Sequence, residues 1–201
     1  DIVEEVVRIA GVDKVPLTPF DRGDAPRKPV LTTIQNRTRR ARRALAARAL
    51  AEAVTWSFVS KPEAELFGGG SAALMLANPI ASDLGAMRPS ILPNLIAALQ
   101  RNADRGREDL ALFEAGPDYQ GDQPGDQRDI IAGARQIAPP RHWEKPGEAD
   151  GVFIVKADAL AALEAAGAPV SSLQATADAP SYFHPGRSGA LRLGAKALAF
   201  F

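Results

Sequence analysis

The chain has 201 residues, 46% of them hydrophobic, enough for one sizeable domain with a core or one domain plus part of another. Basic and acidic residues balance at 24 each, which excludes a global field toward nucleic acid or anionic membrane and leaves charge-driven binding to local patches. Cysteine is absent, excluding disulfides and thiolate metal sites; no apolar run approaches the ~18–20 residues of a membrane span, and no basic-then-apolar leader opens the chain.

Residues 1–11 place Ile2, Val6, Ile9 and Ala10 on one side of a helix that Gly11 stops. Asp1 starts that helix without a capping lead-in, and Leu198 to Phe201 read as a strand stopped in mid-run, so the chain reads as a piece of a longer protein. Four prolines between Val15 and Pro29 mark residues 17–29 as a linker. Residues 31–54 form the longest predicted helix, with Ile34, Ala41, Leu45 and Ala49 on one stripe. TWSFVS (55–60) reads as a strand, and KPEAELF (61–67) as a short helix capped by Ser60 with Pro62 in its first turn. GGGSA (68–72) is a loop and ALMLA (73–77) a buried strand. A loop over 78–90 leads into the helix SILPNLIAALQRNADR, capped by Ser90, with Leu92, Leu95, Ile96 and Leu99 on its apolar face. Strands 109–116 and 129–135 flank a turn-rich loop, which favours antiparallel pairing. After a proline-rich loop holding His142 and Trp143, GVFIVK (151–156) reads as a strand and residues 157–167 as a helix ended by Gly167. Segments 172–177 and 189–194 read as further strands. The expected class is α+β, an antiparallel sheet with helices on its face.

Several residue groups admit a chemical and a plain reading. The triple glycine at 68–70 lacks the Lys-Ser/Thr pair that would meet phosphate and metal, so it reads as a hairpin loop. RTRRARR (37–43) reads first as a solvated or intersubunit helix face, because 100° steps spread its arginines round the helix; RNA phosphates are the alternative. His142 and His184 are the two histidines, too few for a histidine metal site, and they read as loop residues. Asp1, Glu4 and Glu5 lie one turn apart, either complementing the helix dipole or holding a hard cation such as Mg²⁺. Arg88 follows a polar loop and precedes a helix. It is either an internal salt-bridge partner or a bidentate clamp for carboxylate or phosphate, and Arg187 in HPGRSG has the same two readings.

The order of motifs adds to this. DIVEEVVRIAGVDKVP, a basic helix ending AEAVTWSFVS, NPIASDLGAMRPSILPNLIAALQRNADR, LALFEAG, a Trp-bearing loop, GVFIVKADALAALEAAG and FHPGRSGALRLG follow one another. This succession resembles the β subunit of bacterial phenylalanyl-tRNA synthetase over essentially the whole chain. The resemblance implies that residues 1–16 close a small helical domain and that 30–201 form a class II synthetase-like core, truncated at its C-terminal side. It implies a cytoplasmic α₂β₂ assembly that joins phenylalanine to tRNA with ATP and Mg²⁺. The chemistry would lie in the α subunit. The domain here would be a catalytically silent copy packed against α, with no membrane or DNA partner. No catalytic residue is expected; Asn78, Pro79, Arg88, Glu114, His184 and Arg187 are expected to be structural or interface residues. Asp1, Glu4 and Glu5 match the D-x-x-E-E helix whose acids hold Mg²⁺ in a site shared with α, incomplete in this chain. ATP is a substrate of the assembly and is not expected to bind here. In keeping with silence, the loop after LFEAG has no arginine, and HPGRSG does not reproduce the glycine-rich arginine motif of working class II sites. An aspartate expected near Ile154 is missing, and the editing, oligonucleotide-binding and anticodon-binding domains of the family have no counterpart here. Two other readings stay open. One is a stand-alone synthetase paralogue with a nucleotide or amino-acid pocket near Arg88, Glu114 and Arg187. The other is an RNA-binding module using the arginines of 37–43.

Overall fold

A computed structural model describes residues 1–21, 23, 24, 26, 28–137, 143, 144 and 151–201. The chain divides into two units, Asp1–Leu31 and Thr32–Phe201. The first holds helix α1 (Ile2–Ala10) and a 3₁₀ turn, Val12–Lys14, with Gly11 at φ 106° between them. That angle lies in the region glycine tolerates and other residues avoid, so Gly11 stops the helix as its sequence position predicts. Within this unit Ile2, Val6 and Ile9 are exposed.

The second unit runs α2 (Thr33–Ala47), β1 (Ala51–Glu52), β2 (Phe58–Val59), α3 (Lys61–Leu66), β3 (Ala86–Met87), α4 (Leu92–Ala103), β4 (Ala111–Tyr119), β5 (Gln127–Arg135), α5 (Gly151–Ala165), β6 (Gln174–Thr176), β7 (Ala190–Leu193) and β8 (Lys196–Phe200). Its central sheet has the order β1-β4-β5. β4 and β5 pair antiparallel from Ala111↔Arg135 to Tyr119↔Gln127, and β1 pairs parallel to β4. A β2–β3 ribbon and an antiparallel β6-β7-β8 sheet complete the β structure of the described residues. The α+β class and the antiparallel hairpin agree with the sequence reading; the short parallel β1–β4 pairing is additional.

β4 is buried on both faces through its first four residues, because side chains alternate along a strand and each face meets a different layer. Ala111 and Phe113 join Leu45 and Leu50, with Ile131 and Ala162 packed alongside. Leu112 joins Ile91, Leu95 and Leu99 of the α4 segment. Helices therefore cover both faces, and Phe113, Ile91 and Leu95 have no exposed surface. Burying each such side chain contributes about 1.5–3 kcal/mol.

Caps fix the helix boundaries. Thr32 and Ser60 each form a capping box, with Gln35 and Glu63. Ser90 Oγ accepts from Leu92 N at 3.2 Å, although the helix boundary falls at Ile91. Four helices end the same way. The amide of one residue reaches back five, as Gly69 N to Ala64 O, Arg107 N to Asn102 O, Ala168 N to Leu163 O and Leu50 N to Leu45 O. The residue before each has positive φ: Gly68, Gly106, Gly167 and, at the end of α2, Ala49. This is the Schellman geometry. It identifies the glycine run as a helix terminator, whose Gly69 lies where a Cβ would stand 2.8 Å from the Pro89 ring.

Several predicted elements differ. The helix predicted over 31–54 stops at Ala47, because the Ala49 turn sends Ala51–Glu52 onto the sheet. The strand predicted at 55–60 is a ladder only at Phe58–Val59. No strand forms over 73–77: a 3₁₀ turn, Ala72–Leu74, runs into it and Met75 makes a single bridge to Ala86; paired alanines lack the branched side chains that favour an extended run. GVFIVK is not a strand but the first part of α5, so the aspartate expected near Ile154 has no strand to sit on. No breaker separates Val155 from the alanine-rich stretch that follows, and helix propagation through it overrides the local β-propensity.

Candidate functional site

Arg88 is the residue about which the second unit is tied together. It follows β3, precedes α4, and is only 1% exposed. Its amide donates to Ser57 O at 3.0 Å, and its carbonyl accepts from Tyr119 N at 3.1 Å. Its side chain joins the same two segments. Nε donates to Pro117 O at 2.9 Å; Nη1 donates to Glu114 Oε1 at 2.8 Å, to Thr55 Oγ1 at 3.0 Å and to Trp56 O at 3.3 Å. Thr55 Oγ1 in turn donates to Glu114 Oε2 at 2.6 Å, so both carboxylate oxygens are engaged. Gly116 lets the guanidinium lie against β4, since a Cβ there would stand 3.0 Å from Nη2.

A second neutralised cation sits toward the tip of the β4–β5 hairpin. Arg128 donates to Asp118 through Nε (2.9 Å) and Nη2 (2.6 Å), and the two residues are register partners. Asp118 is buried. Its hydrogen bond raises the Arg128 guanidinium above its ordinary range against a smaller opposing effect of burial. Tyr182 stands in the same electrostatic neighbourhood, its ring tilted against those of Phe67 at 5.0 Å and Phe183 at 5.1 Å between centroids, and burial pushes its phenol up. A third buried acid, Asp158 of α5, accepts from Arg48 Nε and Arg135 Nε, each at 2.5 Å, while Arg135 Nη2 donates to Arg48 O at 2.7 Å.

The residues singled out from the sequence separate accordingly. Arg88 and Glu114 meet. Arg187 does not join them: it is exposed in a turn where its amide donates to His184 O at 3.2 Å. His184 is exposed and accepts from Gly186 N through Nδ1 at 3.0 Å. Asn78 and Pro79 lie on an exposed loop. His142 lies outside the described residues. Glu5 is engaged by Arg8 Nη2 at 2.5 Å, and Glu4 and Asp1 are exposed. Among the described residues no three His, Asp or Glu side chains are gathered as they would be around a metal ion. Sequence reading passed over Thr55, Asp118, Arg128 and Asp158. An acid in an otherwise alanine-rich helix, and an Asp–Arg pair placed symmetrically about a turn, were the signals available for the last three.

A groove of about 930 Å³ runs beside the Arg88 cluster, lined by Thr55, Trp56, Phe58, Asp83, Asn94 and Arg101 among others. The Arg88 and Glu114 side chains are not among its lining residues. Such an arrangement braces three segments but offers a ligand neither a free carboxylate at Glu114 nor a free Nη1 or Nε at Arg88.

The profile of a family described as the phenylalanyl tRNA synthetase beta chain CLM domain matches residues 23–201. A phenylalanine–tRNA ligase beta subunit from Rhodopseudomonas palustris is 64% identical over 200 residues, covering 96% of this chain and 25% of that protein. One from Rhodospirillum rubrum is 57% identical over 203 residues, covering 100% and 25%. The chain thus spans about a quarter of the length of the curated relatives it matches. Among solved structures, a Desulfitobacterium hafniense pyrrolysyl tRNA synthetase superposes with a TM-score of 0.58 at 19% identity, over 83% of this chain and 57% of that one. An ATP phosphoribosyltransferase regulatory subunit/histidyl-tRNA synthetase from Bacillus halodurans gives 0.53 at 16% identity, over 80% and 42%. These likenesses show a shared class II synthetase-like fold.

Proposed function

The chain belongs to the phenylalanyl-tRNA synthetase β-chain family, and from that premise we propose that this part of the β chain is a synthetase-like domain with no catalytic site of its own. It supports the ATP-dependent attachment of phenylalanine to its tRNA by an α₂β₂ assembly in the cytoplasm, where the α subunit and tRNA are its partners. The observation that carries this reading is the burial and neutralisation of Arg88. A site that activates an amino acid with ATP needs cations free to stabilise charge developing on the phosphates. Here Arg88 is committed to Glu114, Thr55 and backbone carbonyls, and Arg128 to Asp118. The β4–β5 turn between them carries Asp122 and Asp126 and no arginine.

Mg²⁺ belongs to the same proposal. Asp1, Glu4 and Glu5 would hold it only with further oxygen ligands from outside this chain, the expected donors for such a hard cation. Within the first unit Glu5 pairs with Arg8 and Glu4 with the amino group of Asp1, and the acids at this end of α1 complement its N-terminal dipole.

Titration calorimetry of the chain with ATP–Mg²⁺ and with phenylalanine, after circular dichroism confirms folding, tests the reading. No saturable heat is expected from either. Stoichiometric binding of either ligand would overturn it and make the domain a ligand-binding paralogue.

A further inference from the structure

We propose that the junction between α2 and β1 is a two-state element locked by the Asp158 clamp: capped at Ala49 with the clamp closed, or continuous helix through Ala53 with it open. From Ala46 to Ala53 the chain is alanine, leucine, arginine and glutamate, all strong helix formers. The first β-branched residues, Val54 and Thr55, come after them. The chain nevertheless turns at Ala49 with φ 61°, and only Ala51 and Glu52, both exposed, pair with β4. An alanine held left-handed between a helix and so short a strand marks a place where local preference and tertiary packing oppose each other.

Packing and the clamp together hold the capped state. Leu50 enters the core with Phe113, and the Ala53 amide donates to Phe113 O at 2.8 Å. Asp158, 7% exposed, accepts from Arg48 Nε and Arg135 Nε, and Arg135 Nη2 donates to Arg48 O at 2.7 Å. Helix propagation needs that same carbonyl, because the Glu52 amide would bond to it four residues back. Arg135 therefore competes for the acceptor on which the next turn would grow, and Asp158 holds both guanidiniums in place. In the continuous state Ala49 loses its strain and Glu52 comes one turn from Arg48, an attractive spacing. The exposed Arg42–Glu52 pair given up in exchange is weak. With the clamp open both states are populated; with it closed the capped state prevails.

The states differ at the Arg88 brace. Winding Leu50 to Ala53 into helix takes ~3.3 Å per residue to ~1.5 Å and shortens the path by about 7 Å. Val54 alone does not span that difference, so Thr55 and Trp56 withdraw from Arg88 and Glu114. Glu114 shares the sheet face of Leu112, and α5 packs by Ala162 on the opposite face with Phe113. Docking of α5 on one face is thereby coupled to the brace on the other.

The test uses the full-length β chain in its native assembly, labelled with ¹³C at alanine methyls, whose carbon shifts differ between helix and extended backbone. In wild type, Ala51 and Ala53 are expected at extended positions. Asp158→Asn is expected to move both toward helical positions and to leave Ala98 of α4 in place. Arg135→Gln, which frees Arg48 O, is expected to do the same. Adding Ala49→Gly to either is expected to return both signals, since glycine accepts the left-handed turn and disfavours helix. Ala51 and Ala53 unmoved in both single variants overturn the proposal. So does movement to random-coil positions, or displacement of Ala98 alongside them, which would make the clamp a plain anchor. Methyl relaxation dispersion on folded wild type gives a second reading that needs no clamp variant. Ala53 is expected to report a helical minor state whose population falls about tenfold in Ala49→Gly. Flat dispersion in wild type, or a minor state unaffected by Ala49→Gly, overturns the two-state junction.

Discussion

At the scale of single residues, the positive-φ residues at the helix ends do the most to divide this chain into elements. Gly68, Gly106 and Gly167 adopt their left-handed conformation without steric cost. Ala49 takes φ 61° at the same place in the same motif and is the single non-glycine residue with positive φ among the described residues. Its Cβ crowds the following carbonyl, at a cost of about 1–2 kcal/mol. Leu45 and Leu50, the hydrophobic pair that accompanies this cap, both lie in the core cluster and hold the strained turn in place. Ala49→Gly is therefore expected to stabilise the protein by about 1 kcal/mol, seen as a higher urea midpoint with an unchanged denaturant slope. No sequence cue pointed to this turn. An alanine in a run of alanines reads as continuing helix, and tertiary burial of Leu50 decides otherwise.

At the scale of elements, legibility depended on whether the signal was local. α3 was readable because Ser60 and Pro62 are local signals, while the part of the glycine run in ending it was not read. The β4–β5 hairpin was readable because its turn residues are local too. α5 was not, since its β-branched start and alanine-rich remainder give opposite local signals. The β6–β7 pair carries a tie that pattern reading could not see, in which Arg192 and Thr176 both donate to Asp178. The Arg192 hydrogen bond, then that of Thr176, lowers the Asp178 carboxyl from its ordinary 3.8 to about 2. A carboxylate with a folded-state pKa below its unfolded one adds stability that is full above the unfolded value and lost as pH falls through the folded one. Asp178→Asn should therefore lower the thermal midpoint at pH 7, with the gap to wild type closing as pH falls from about 4 to about 2.

At the scale of the whole molecule, the α+β class and the family were legible in the ordered motifs, whereas the bracing of the second unit was not. Arg88 could be picked out as important, but its partners come from residues 55, 56, 114 and 117, and only folding brings them together. The energetic sense of such a buried pair is asymmetric. Removing one member strands the other charge in the core, at about 3–5 kcal/mol, while replacing both with apolar residues of similar volume is close to neutral. Arg88→Met is thus expected to destabilise by about that amount in chemical denaturation, and Arg88→Met/Glu114→Leu to recover most of it. Failure of the double variant to recover would mean that the bonds to Thr55, Trp56 and Pro117 outweigh the ion pair.

The Asp158 clamp also has a meaning in time. Arg48 and its carboxylate partner are separated by 110 residues of chain. At a synthesis rate of about 5–20 residues per second, α2 is made roughly 5–20 s before the acid that anchors α5 to it exists. During that interval β4 can already pair with β1 and β5, while the face of the sheet awaiting α5 still lacks its cover and the Arg48 and Arg135 guanidiniums their shared acid. The nascent domain is therefore half-layered for seconds on the ribosome, until α5 covers that face and brings Asp158 to both guanidiniums.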